Sequence, residues 1–425
     1  MTQVSKRAND FPENPIRGME PLVRQAKSEG INVIPLNIGA PDTSSPQEAK
    51  QAMIDFLNNT PAIPYGPSVG NYDLIKQLAK FYTEKALFPG VSEECIAVTQ
   101  GASEALDLIL YTIANNGETI ATFDPAYPNY LAMCYRHDIQ IIPIETTIAK
   151  SFHFDFETLD KQIPADTKAI LWSSPCNPTG AVYGKQELEA ILKIGRERDI
   201  WLIADEVYRS LDFEQEGAGF ERSLSILDLA NSEDRKRIIV LDSMSKLLGL
   251  CGARIGTVIA DPKMISLLVS QASVRGSAST ISQAGIEVIN DIPDDYYAGY
   301  RQEFLERRDI LYSELSKLSH LGVTLPPNPP EGAFYLIADL GVNAYSFAKW
   351  LITDYPGISK SKETVFVTPM VTPNGGFYLT KGRGQGEIRM AYVIEKELLT
   401  RAVAILSDAL GRYKKIFGDG TGDSS

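Results

Sequence analysis

Short apolar runs alternate with longer amphipathic segments along the middle of the chain. The runs lie between about residues 96 and 273, and apolar residues at helical spacing mark most of the segments between them. The runs are IAVTQG, TIATFDP, DIQIIPIE, KAILWSSP, WLIADEVY, RIIVLDSMS and RIGTVIA. This alternation predicts an α/β fold in which a mostly parallel, seven-stranded sheet is covered by helices on both faces.

The segments on either side of this alternation have a different pattern. Residues 291–425 begin with a charge-rich helical stretch and continue with strand candidates at GAFYLIADL and EIRMAYV, with a helix candidate, YSFAKWLITDY, between them. We expect residues 46–290 to form a large domain. Residues 1–45 are expected to form an N-terminal arm and part of a smaller α/β domain, which residues 291–425 complete. The Gly- and Asp-rich end, FGDGTGDSS, predicts a disordered tail.

Composition and charge exclude several classes of protein. The chain has 41 basic and 54 acidic residues, and its net charge of -13 disfavours nucleic acid and anionic membrane surfaces as partners. No apolar stretch approaches the roughly 18 residues that a membrane span requires, and the first residues lack the apolar core of a signal peptide. The four cysteines and three histidines show no metal-ligand spacing. We therefore expect a cytoplasmic protein without a metal site.

Polar residues follow the apolar runs, and in an open α/β sheet such residues meet at the carboxyl ends of the strands. Gly101, Ala102 and Ser103 begin a helix whose free backbone amides can bind an anion, although an ordinary helix cap also explains the serine. Asp205 ends another run, where a carboxylate is costly unless it is paired. A buried structural ion pair is the alternative to a functional acid there.

Lys246 lies in the segment SMSKLLGLCGARIG, among small and apolar residues. Desolvation disfavours the ammonium form of a lysine in such surroundings, and a nearby cation, for which Arg254 is a candidate, has the same effect. A neutral amine is what imine formation with an aldehyde requires. The alternative is a surface lysine whose stem packs on apolar neighbours.

Six motifs together resemble those of one enzyme family. SMSKLLGLCGARIG closely resembles the Ser-x-Ser-Lys-x5-Gly-x-Arg-x-Gly signature of class I/II aminotransferases, the fold-type-I enzymes that use pyridoxal 5′-phosphate. YGPSVG, GASEAL, CNPTG, ADEVY and IRMAY resemble the other motifs of this family in the same order. The resemblance covers about residues 15 to 410, and it implies this fold and this cofactor.

The resemblance assigns roles at the cofactor ring. Lys246 corresponds to the lysine that binds the cofactor covalently and moves the proton of the reaction. Asp205 corresponds to the partner of the pyridine nitrogen. Tyr208 and Asn177 correspond to the residues that bind the phenolic oxygen, and Tyr127 to the aromatic residue that stacks on the ring.

The same resemblance places the cofactor's phosphate at a helix start beside an arginine. The backbone amides of Ala102 and Ser103 would bind it together with Ser243 and Arg254, because a dianion needs helix N–H groups and a cation. Gly101 would allow the backbone to approach closely.

The substrate-binding residues also follow from the resemblance. Arg389 corresponds to the arginine that binds the substrate α-carboxylate, with Gly39 and Asn177 near the same group. Tyr65 corresponds to the tyrosine that reaches the phosphate of the neighbouring subunit, which implies a homodimer with shared sites. Some aspartate-using relatives carry a lysine where Ser103 stands, and Arg275 or another basic residue is a candidate to replace it.

The resemblance implies transfer of the amino group of an L-amino acid to a 2-oxo acid such as 2-oxoglutarate, through alternating pyridoxal and pyridoxamine forms of the cofactor. Aspartate, aromatic and aliphatic amino acids are the expected donors. A lyase that performs β-elimination on the same fold and a ligand-sensing regulatory protein stay as alternatives. The stretch FEQEGAGFE, residues 213–221, is either an inert surface loop or a lid.

Overall fold

A computed structural model describes residues 3–355 and 367–418 of the chain. The strands are β1 (Asn32–Pro35), β2 (Ile96–Thr99), β3 (Thr119–Asp124), β4 (Gln140–Glu145), β5 (Thr167–Ser173), β6 (Trp201–Asp205), β7 (Ile238–Ser243), β8 (Gly256–Ala260), β9 (Tyr335–Asp339), β10 (Val367–Met370), β11 (Thr372–Pro373) and β12 (Glu387–Ala391). Most of the expected disordered tail, from residue 419 onward, lies outside the described residues.

Helices follow most of the strands. They are α1 (Lys6–Asn9), α2 (Glu20–Ser28), α3 (Gln47–Asn59), α4 (Tyr72–Lys80), α5 (Ala102–Ile113), α6 (Pro128–Arg136), α7 (Leu159–Gln162), α8 (Lys185–Arg198), α9 (Ile226–Leu229), α10 (Met244–Leu247), α11 (Pro262–Ala272), α12 (Thr280–Ala284), α13 (Asp294–Ser316), α14 (Ala344–Thr353) and α15 (Lys396–Phe417). In the part of the chain that the structure describes, none of them is long and apolar enough to cross a membrane.

The central sheet has seven strands in the order β2-β8-β7-β6-β5-β3-β4. Neighbouring strands are parallel except at β8, which is antiparallel to both β2 and β7. Every residue of β2, β3, β7 and β8 is buried, which explains why these strands read as continuous apolar runs. The predicted mostly parallel, seven-stranded sheet is confirmed.

Apolar clusters cover the two faces of this sheet. Along β7, Ile238 and Val240 belong to one cluster, whereas Ile239 and Leu241 belong to the other, because successive side chains of a strand point to opposite faces. Helices α4 and α8 pack in the first cluster, and α5, α6 and α11 pack in the second. The predicted helical layers on both faces are therefore present.

A third apolar cluster joins the two ends of the described chain. It contains residues from α2, β1, α13, α14 and α15, together with β9 and β12 of the small antiparallel sheet β11-β12-β9. Strand β1 pairs in parallel with β10, so the N-terminal segment and the C-terminal part share one core. Because β1 is fixed in this core, the residues that follow it, such as Gly39, lie at the carboxyl edge of the large sheet.

Candidate active site

A cavity of ≈ 540 Å³ lies at the carboxyl edge of the central sheet, within the range of about 300–1,000 Å³ of small-molecule sites. The ends of β5, β6 and β7 contribute to it, as do the start of α5 and the N-terminal segment. The predicted site residues that line it are Gly39, Ala102, Ser103, Tyr127, Asn177, Asp205, Tyr208, Ser243, Lys246, Arg254 and Arg389. The structure therefore brings together residues that are scattered along the chain.

Lys246 lies on the short helix α10, directly after β7. Ser243 begins this helix, and its Oγ accepts a hydrogen bond from the backbone N–H of Ser245 at 3.2 Å. The half-buried amine of Lys246 donates to the carbonyl oxygen of Gly39 at 2.6 Å and lies 5.3 Å from the ring centroid of Phe334. A backbone carbonyl therefore holds this amine at the cavity wall.

Asp205 ends β6 and is almost completely buried, with 8% of its surface exposed. Its Oδ2 accepts a hydrogen bond from the hydroxyl of Tyr130 at 2.6 Å, whereas its buried Oδ1 has no hydrogen-bond partner among the described residues. Burial raises the pKa of Asp205 to about 6, while the bond from Tyr130 acts in the opposite direction. The site therefore presents one free carboxylate oxygen that is still ionised at neutral pH.

The start of α5 and an arginine face each other across the expected phosphate position. Gly101 has a φ of +80°, and a Cβ atom on it would lie 2.5 Å from Nη2 of Arg254. A Cβ atom on Gly256 would lie 2.5 Å from the backbone nitrogen of Ala102. Gly256 therefore allows the two backbone segments to approach closely, and Gly101 supplies the positive φ at the start of α5. Ser245 adds a buried Oγ without a hydrogen-bond partner among the described residues.

Arg389 lies on β12 and is buried, with 1% of its surface exposed. Its Nη1 donates to Oδ1 of Asn177 at 2.9 Å, and its Nη2 donates to the carbonyl oxygen of Asn37. The guanidinium carbon lies 4.5 Å from the ring centroid of Tyr335, and Nε has no hydrogen-bond partner among the described residues. Burial lowers the pKa of Arg389 from its usual value. A buried guanidinium without a carboxylate partner is suited to binding an anionic ligand.

Tyrosine hydroxyls form the remaining polar wall. The hydroxyl of Tyr208 lies 2.9 Å from that of Tyr335, and Tyr127 accepts a hydrogen bond from Nδ2 of Asn129 at 2.9 Å. Burial raises the pKa of Tyr127 to about 12, so its phenol is neutral at physiological pH. These groups can orient a polar aromatic ligand without adding charge.

Unpartnered polar atoms test whether the expected cofactor fits. The free Oδ1 of Asp205 suits a protonated ring nitrogen, and the start of α5 with Arg254 and the Oγ of Ser245 suits a phosphate dianion. Lys246 provides, in the same cavity, the amine with which an aldehyde forms an imine. The residues present therefore fit pyridoxal 5′-phosphate.

Four of the predicted residues and segments do not line this cavity, and Gly101, which directly precedes the lining residue Ala102, is one of them. Tyr65 does not line the cavity and is 95% exposed, so its predicted role in a neighbouring subunit stays a prediction. Arg275, a candidate to replace the lysine of some relatives, does not line this cavity either, and its Nε forms an ion pair with Glu104, so its role stays a prediction. The 213–221 stretch also stays outside, and Arg301 of α13 donates to two of its carbonyl oxygens.

Sequence reasoning missed residues that support the predicted ones. Tyr130, Asn37 and Tyr335 contact Asp205 or Arg389, but the motifs assign none of them a role. The one local signal is the spacing of Tyr130, three residues after Tyr127 at the start of α6. Within residues 3–355 and 367–418, no group of three or more His, Cys, Asp or Glu side chains could hold a metal ion.

The cavity combines a lysine amine with a buried carboxylate and a buried guanidinium, a set of groups suited to an enzyme that acts on small anionic substrates. Residues 31–406 match the family model described as aminotransferase class I and II. The chain belongs to this family, whose members generally depend on pyridoxal 5′-phosphate, and it is an aminotransferase.

Relatives of known name support this assignment over the full chain. An aspartate aminotransferase of Thermotoga maritima is 26% identical over 408 residues, which are 96% of this chain and 99% of the relative. A solved structure of an aspartate aminotransferase from Thermotoga maritima has a TM-score of 0.82 at 26% identity, and the match covers 96% of this chain and 100% of that one. An alanine aminotransferase structure from Pyrococcus furiosus has a TM-score of 0.84 with the same identity and coverage. The fold-type-I prediction is confirmed, and these relatives favour transamination over β-elimination or ligand sensing.

Proposed function

We propose that the cavity binds pyridoxal 5′-phosphate and that the enzyme transfers the amino group of an L-amino acid to a 2-oxo acid such as 2-oxoglutarate. The observation that carries this proposal is the convergence of an amine, a buried carboxylate and a buried guanidinium on one cavity: Lys246, Asp205 and Arg389. Aspartate and alanine occur in the names of related enzymes, which supports these amino acids as donors, and prephenate, a 2-oxo acid, occurs in another, which supports 2-oxo acids as acceptors.

The cofactor would be held by charge and by hydrogen bonds along its length. Oδ1 of Asp205 would bind the ring nitrogen, and Tyr130 keeps the other oxygen of that carboxylate in place. The phosphate would lie against the backbone amides at the start of α5, with Arg254 beside it and Ser243 and Ser245 nearby. When bound, the cofactor supplies an electron-accepting ring that stabilises negative charge at the substrate α-carbon.

Around the ring, Tyr127 would stack on one face, and Tyr208 and Asn177 would bind the phenolic oxygen. All three side chains line the cavity. The edge-to-face packing of Tyr127 on Tyr130, with ring centroids 5.6 Å apart, restricts the position of the stacking ring. This arrangement would keep the reacting bond close to the amine of Lys246.

Lys246 would carry the proton of the reaction. With the cofactor bound, the Nζ atom of Lys246 would accept the proton from the substrate α-carbon and deliver it on the cofactor side. The carbonyl oxygen of Gly39 at 2.6 Å would hold Nζ during this transfer. The same segment therefore positions the base and closes one wall of the cavity.

Arg389 would bind the substrate α-carboxylate in two parallel hydrogen bonds. Asn177 and Asn37 fix its guanidinium from one side, and the ring of Tyr335 fixes it from another. The side chain therefore loses little conformational entropy when the substrate binds. Arg389→Leu should weaken the binding of amino and oxo acids while the cofactor stays bound. Loss of the cofactor with unchanged substrate affinity would contradict this placement.

We further propose a homodimer with shared sites, in which Tyr65 of the partner subunit reaches the phosphate. The 95% exposure of Tyr65 supports this role, because a large aromatic side chain is seldom left in water without a partner surface. The large domain would span residues 46–290, and residues 1–45 and 291–425 would form the part that closes over the site. The cytoplasm is the proposed compartment, in keeping with four free cysteine thiols.

The test of the proposed function uses Lys246→Ala with Lys263→Ala, an exposed lysine of α11, as the matched control. Each protein is loaded with the cofactor, reduced with borohydride and analysed by peptide mass spectrometry, and its absorbance is followed while L-amino acids are added. We expect covalent attachment at Lys246 and formation of the 2-oxo acid in the wild type and the control. Multiple turnover by the Lys246→Ala protein would contradict the proposal. Accumulation of pyruvate and ammonia with an unchanged cofactor band would indicate a lyase.

The dimer has its own test. Proteins carrying Tyr65→Ala and Lys246→Ala are mixed, unfolded and refolded together, so that hybrid dimers form. If Tyr65 acts across the interface, a hybrid contains one intact site, and activity exceeds that of either parent. A monomer in analytical ultracentrifugation, or no gain on mixing, would contradict the shared site.

A further inference from the structure

The turn formed by residues 14–17 contributes a wall of the cavity, and this wall carries a cation without a partner. Arg17 lines the cavity and is exposed. Its side chain forms no hydrogen bond or ion pair within residues 3–355 and 367–418. The guanidinium is therefore available to a ligand.

The charges that line the cavity are unequal. Among the described residues, the cations are Arg17, Lys246, Arg254 and Arg389, and the only carboxylate is Asp205. The proposed function uses Lys246 and Arg254 for the cofactor and Arg389 for the substrate α-carboxylate. Arg17 is left over, and an excess of positive charge in a partly enclosed cavity attracts a further anionic group.

One end of the turn is anchored to the residues that hold Arg389. Nδ2 of Asn37 donates to the carbonyl oxygen of Ile16 at 3.3 Å, and the carbonyl oxygen of Asn37 accepts from Nη2 of Arg389. Arg17 follows Ile16 directly in the chain. The two guanidinium-bearing segments are thus connected through a single asparagine, on the same side of the cavity.

The other end of the turn is anchored beside the expected cofactor ring. Nδ2 of Asn14 donates to Oδ1 of Asn129 at 3.3 Å, and Nδ2 of Asn129 donates to the hydroxyl of Tyr127 at 2.9 Å. The backbone N–H of Arg17 donates to the carbonyl oxygen of Asn14 at 3.1 Å, which closes the turn. The position of Arg17 is therefore set by both the α-carboxylate side and the ring side of the cavity.

We propose that Arg17 is a specificity-determining residue that binds the distal carboxylate of dicarboxylic substrates. The proposal rests on the proposed function, because it requires the α-carboxylate on Arg389 and the amino group at the cofactor. A guanidinium binds a carboxylate through two parallel hydrogen bonds and stays charged at any physiological pH. The two other positions considered for this role do not supply a free cation in the cavity. Ser103, at the position of the lysine in some relatives, is uncharged, and Arg275 forms an ion pair with Glu104.

The test compares substrates that differ in one carboxylate. The variants are Arg17→Gln and Arg17→Lys, with Arg24→Gln as a control that removes an exposed arginine of α2 outside the cavity. The first readout is the single-turnover kcat/KM with L-aspartate and with L-alanine. The second is calorimetric binding of succinate and of butyrate, which have the same chain length.

Arg17→Gln should lower kcat/KM for L-aspartate on the order of 10- to 100-fold, the effect of losing a hydrogen bond to a charged group. L-alanine should change by less than about twofold, succinate binding should weaken by the same factor as aspartate turnover, and butyrate binding should stay the same. Arg17→Lys should recover part of the aspartate activity, because it keeps the charge without the two-pronged geometry. Arg24→Gln should behave as the wild type.

Three results would overturn the role of Arg17. These are an equal loss with aspartate and alanine, an unchanged aspartate rate in Arg17→Gln, and wild-type binding of succinate that is no tighter than that of butyrate. In all three cases transamination of alanine by the wild type leaves the proposed function intact. A wild-type protein that turns over neither donor and binds no cofactor would refute the proposed function and, with it, the role of Arg17.

Discussion

The substitution Tyr130→Phe removes one hydroxyl from the site and tests how the carboxylate of Asp205 is kept charged. The hydroxyl of Tyr130 donates to Oδ2 of Asp205 at 2.6 Å, and both side chains are buried. Phenylalanine keeps the ring and nearly the same volume, so the change removes the hydrogen bond without creating a large cavity. Any effect therefore reports on the electrostatics of Asp205.

The magnitude follows from the protonation state of Asp205. A hydrogen bond to a charged group contributes about 1.5–3 kcal/mol, and one to a neutral group about 0.5–1.5 kcal/mol. The difference of about 1–1.5 kcal/mol corresponds to about one pKa unit. We expect the pKa of Asp205 to rise from about 6 in the wild type to about 7 in the variant. The lost hydrogen bond stabilises the ionised carboxylate more than the protonated acid.

The sign of the pH dependence follows from this raised pKa. A carboxyl group with a raised folded-state pKa contributes stability that is fully present below its unfolded pKa and is lost as the pH rises through the folded pKa. In the wild type this loss begins at about pH 4 and is complete near pH 6, and in Tyr130→Phe it should be larger and continue to about pH 7. The variant should therefore be destabilised by about 0.5–1.5 kcal/mol at pH 5 and by about 1.5–3 kcal/mol at pH 9.

Urea unfolding of the cofactor-free protein at pH 5, 7 and 9 measures these differences. Tyr111→Phe is the control, because Tyr111 lies on α5 with 65% of its surface exposed and no carboxylate partner among the described residues. Cofactor affinity at the same pH values gives a second readout and should fall most at pH 5, where about one-tenth of the wild-type Asp205 carboxyls but only about one-hundredth of the variant's are ionised. A loss of stability that is equal at pH 5 and pH 9 would refute the reasoning.

Three further predictions concern the backbone, a buried ion pair and a titrating histidine. Gly101→Ala should weaken cofactor binding at least tenfold, whereas Gly117→Ala, with a similar φ of +81° but open space around it, should lose only about 1–2 kcal/mol of stability and no affinity. Asp242→Asn should destabilise the protein by about 3–5 kcal/mol in urea unfolding, because Arg209 is then left buried and unpaired. The ring N–H groups of His153 donate hydrogen bonds to Glu187 and Glu331, which raises the pKa of His153 to about 10. Stability present below pH ~6.5 should therefore be lost as the pH rises toward 10, by about 1–3 kcal/mol, and His153→Gln should flatten that profile. A wild-type profile without this decline would contradict the role of His153.

The order of elements along the chain could be read from local patterns. All seven apolar runs are strands of one sheet, and the helical stretch at the start of the C-terminal part is α13. Burial on both faces makes such strands continuously apolar, and this property is visible without any knowledge of the neighbours. The antiparallel direction of β8 has no such local signal, because pairing direction depends on how the chain returns to the sheet.

In the site, too, local sequence predicts some residues, whereas others are brought there only by long-range contacts. The family signature around Lys246 and the strand end at Asp205 predict which groups line the cavity, since their chemistry depends on side-chain type and on position after a strand. The partners of these groups come from elsewhere: Tyr130 lies 75 residues from Asp205 along the chain, and Asn37 lies 352 residues from Arg389.

Composition, apolar periodicity and motif order thus establish the class of fold and most of the residues that face the cavity, because each depends on short segments of chain. Packing between distant segments sets the other features of the site. It places Arg17 on the cavity wall, pairs Arg275 with Glu104, and leaves one oxygen of Asp205 without a hydrogen-bond partner among the described residues. Long-range contacts decide which charges are paired and which remain available, and only the available charges can select a substrate.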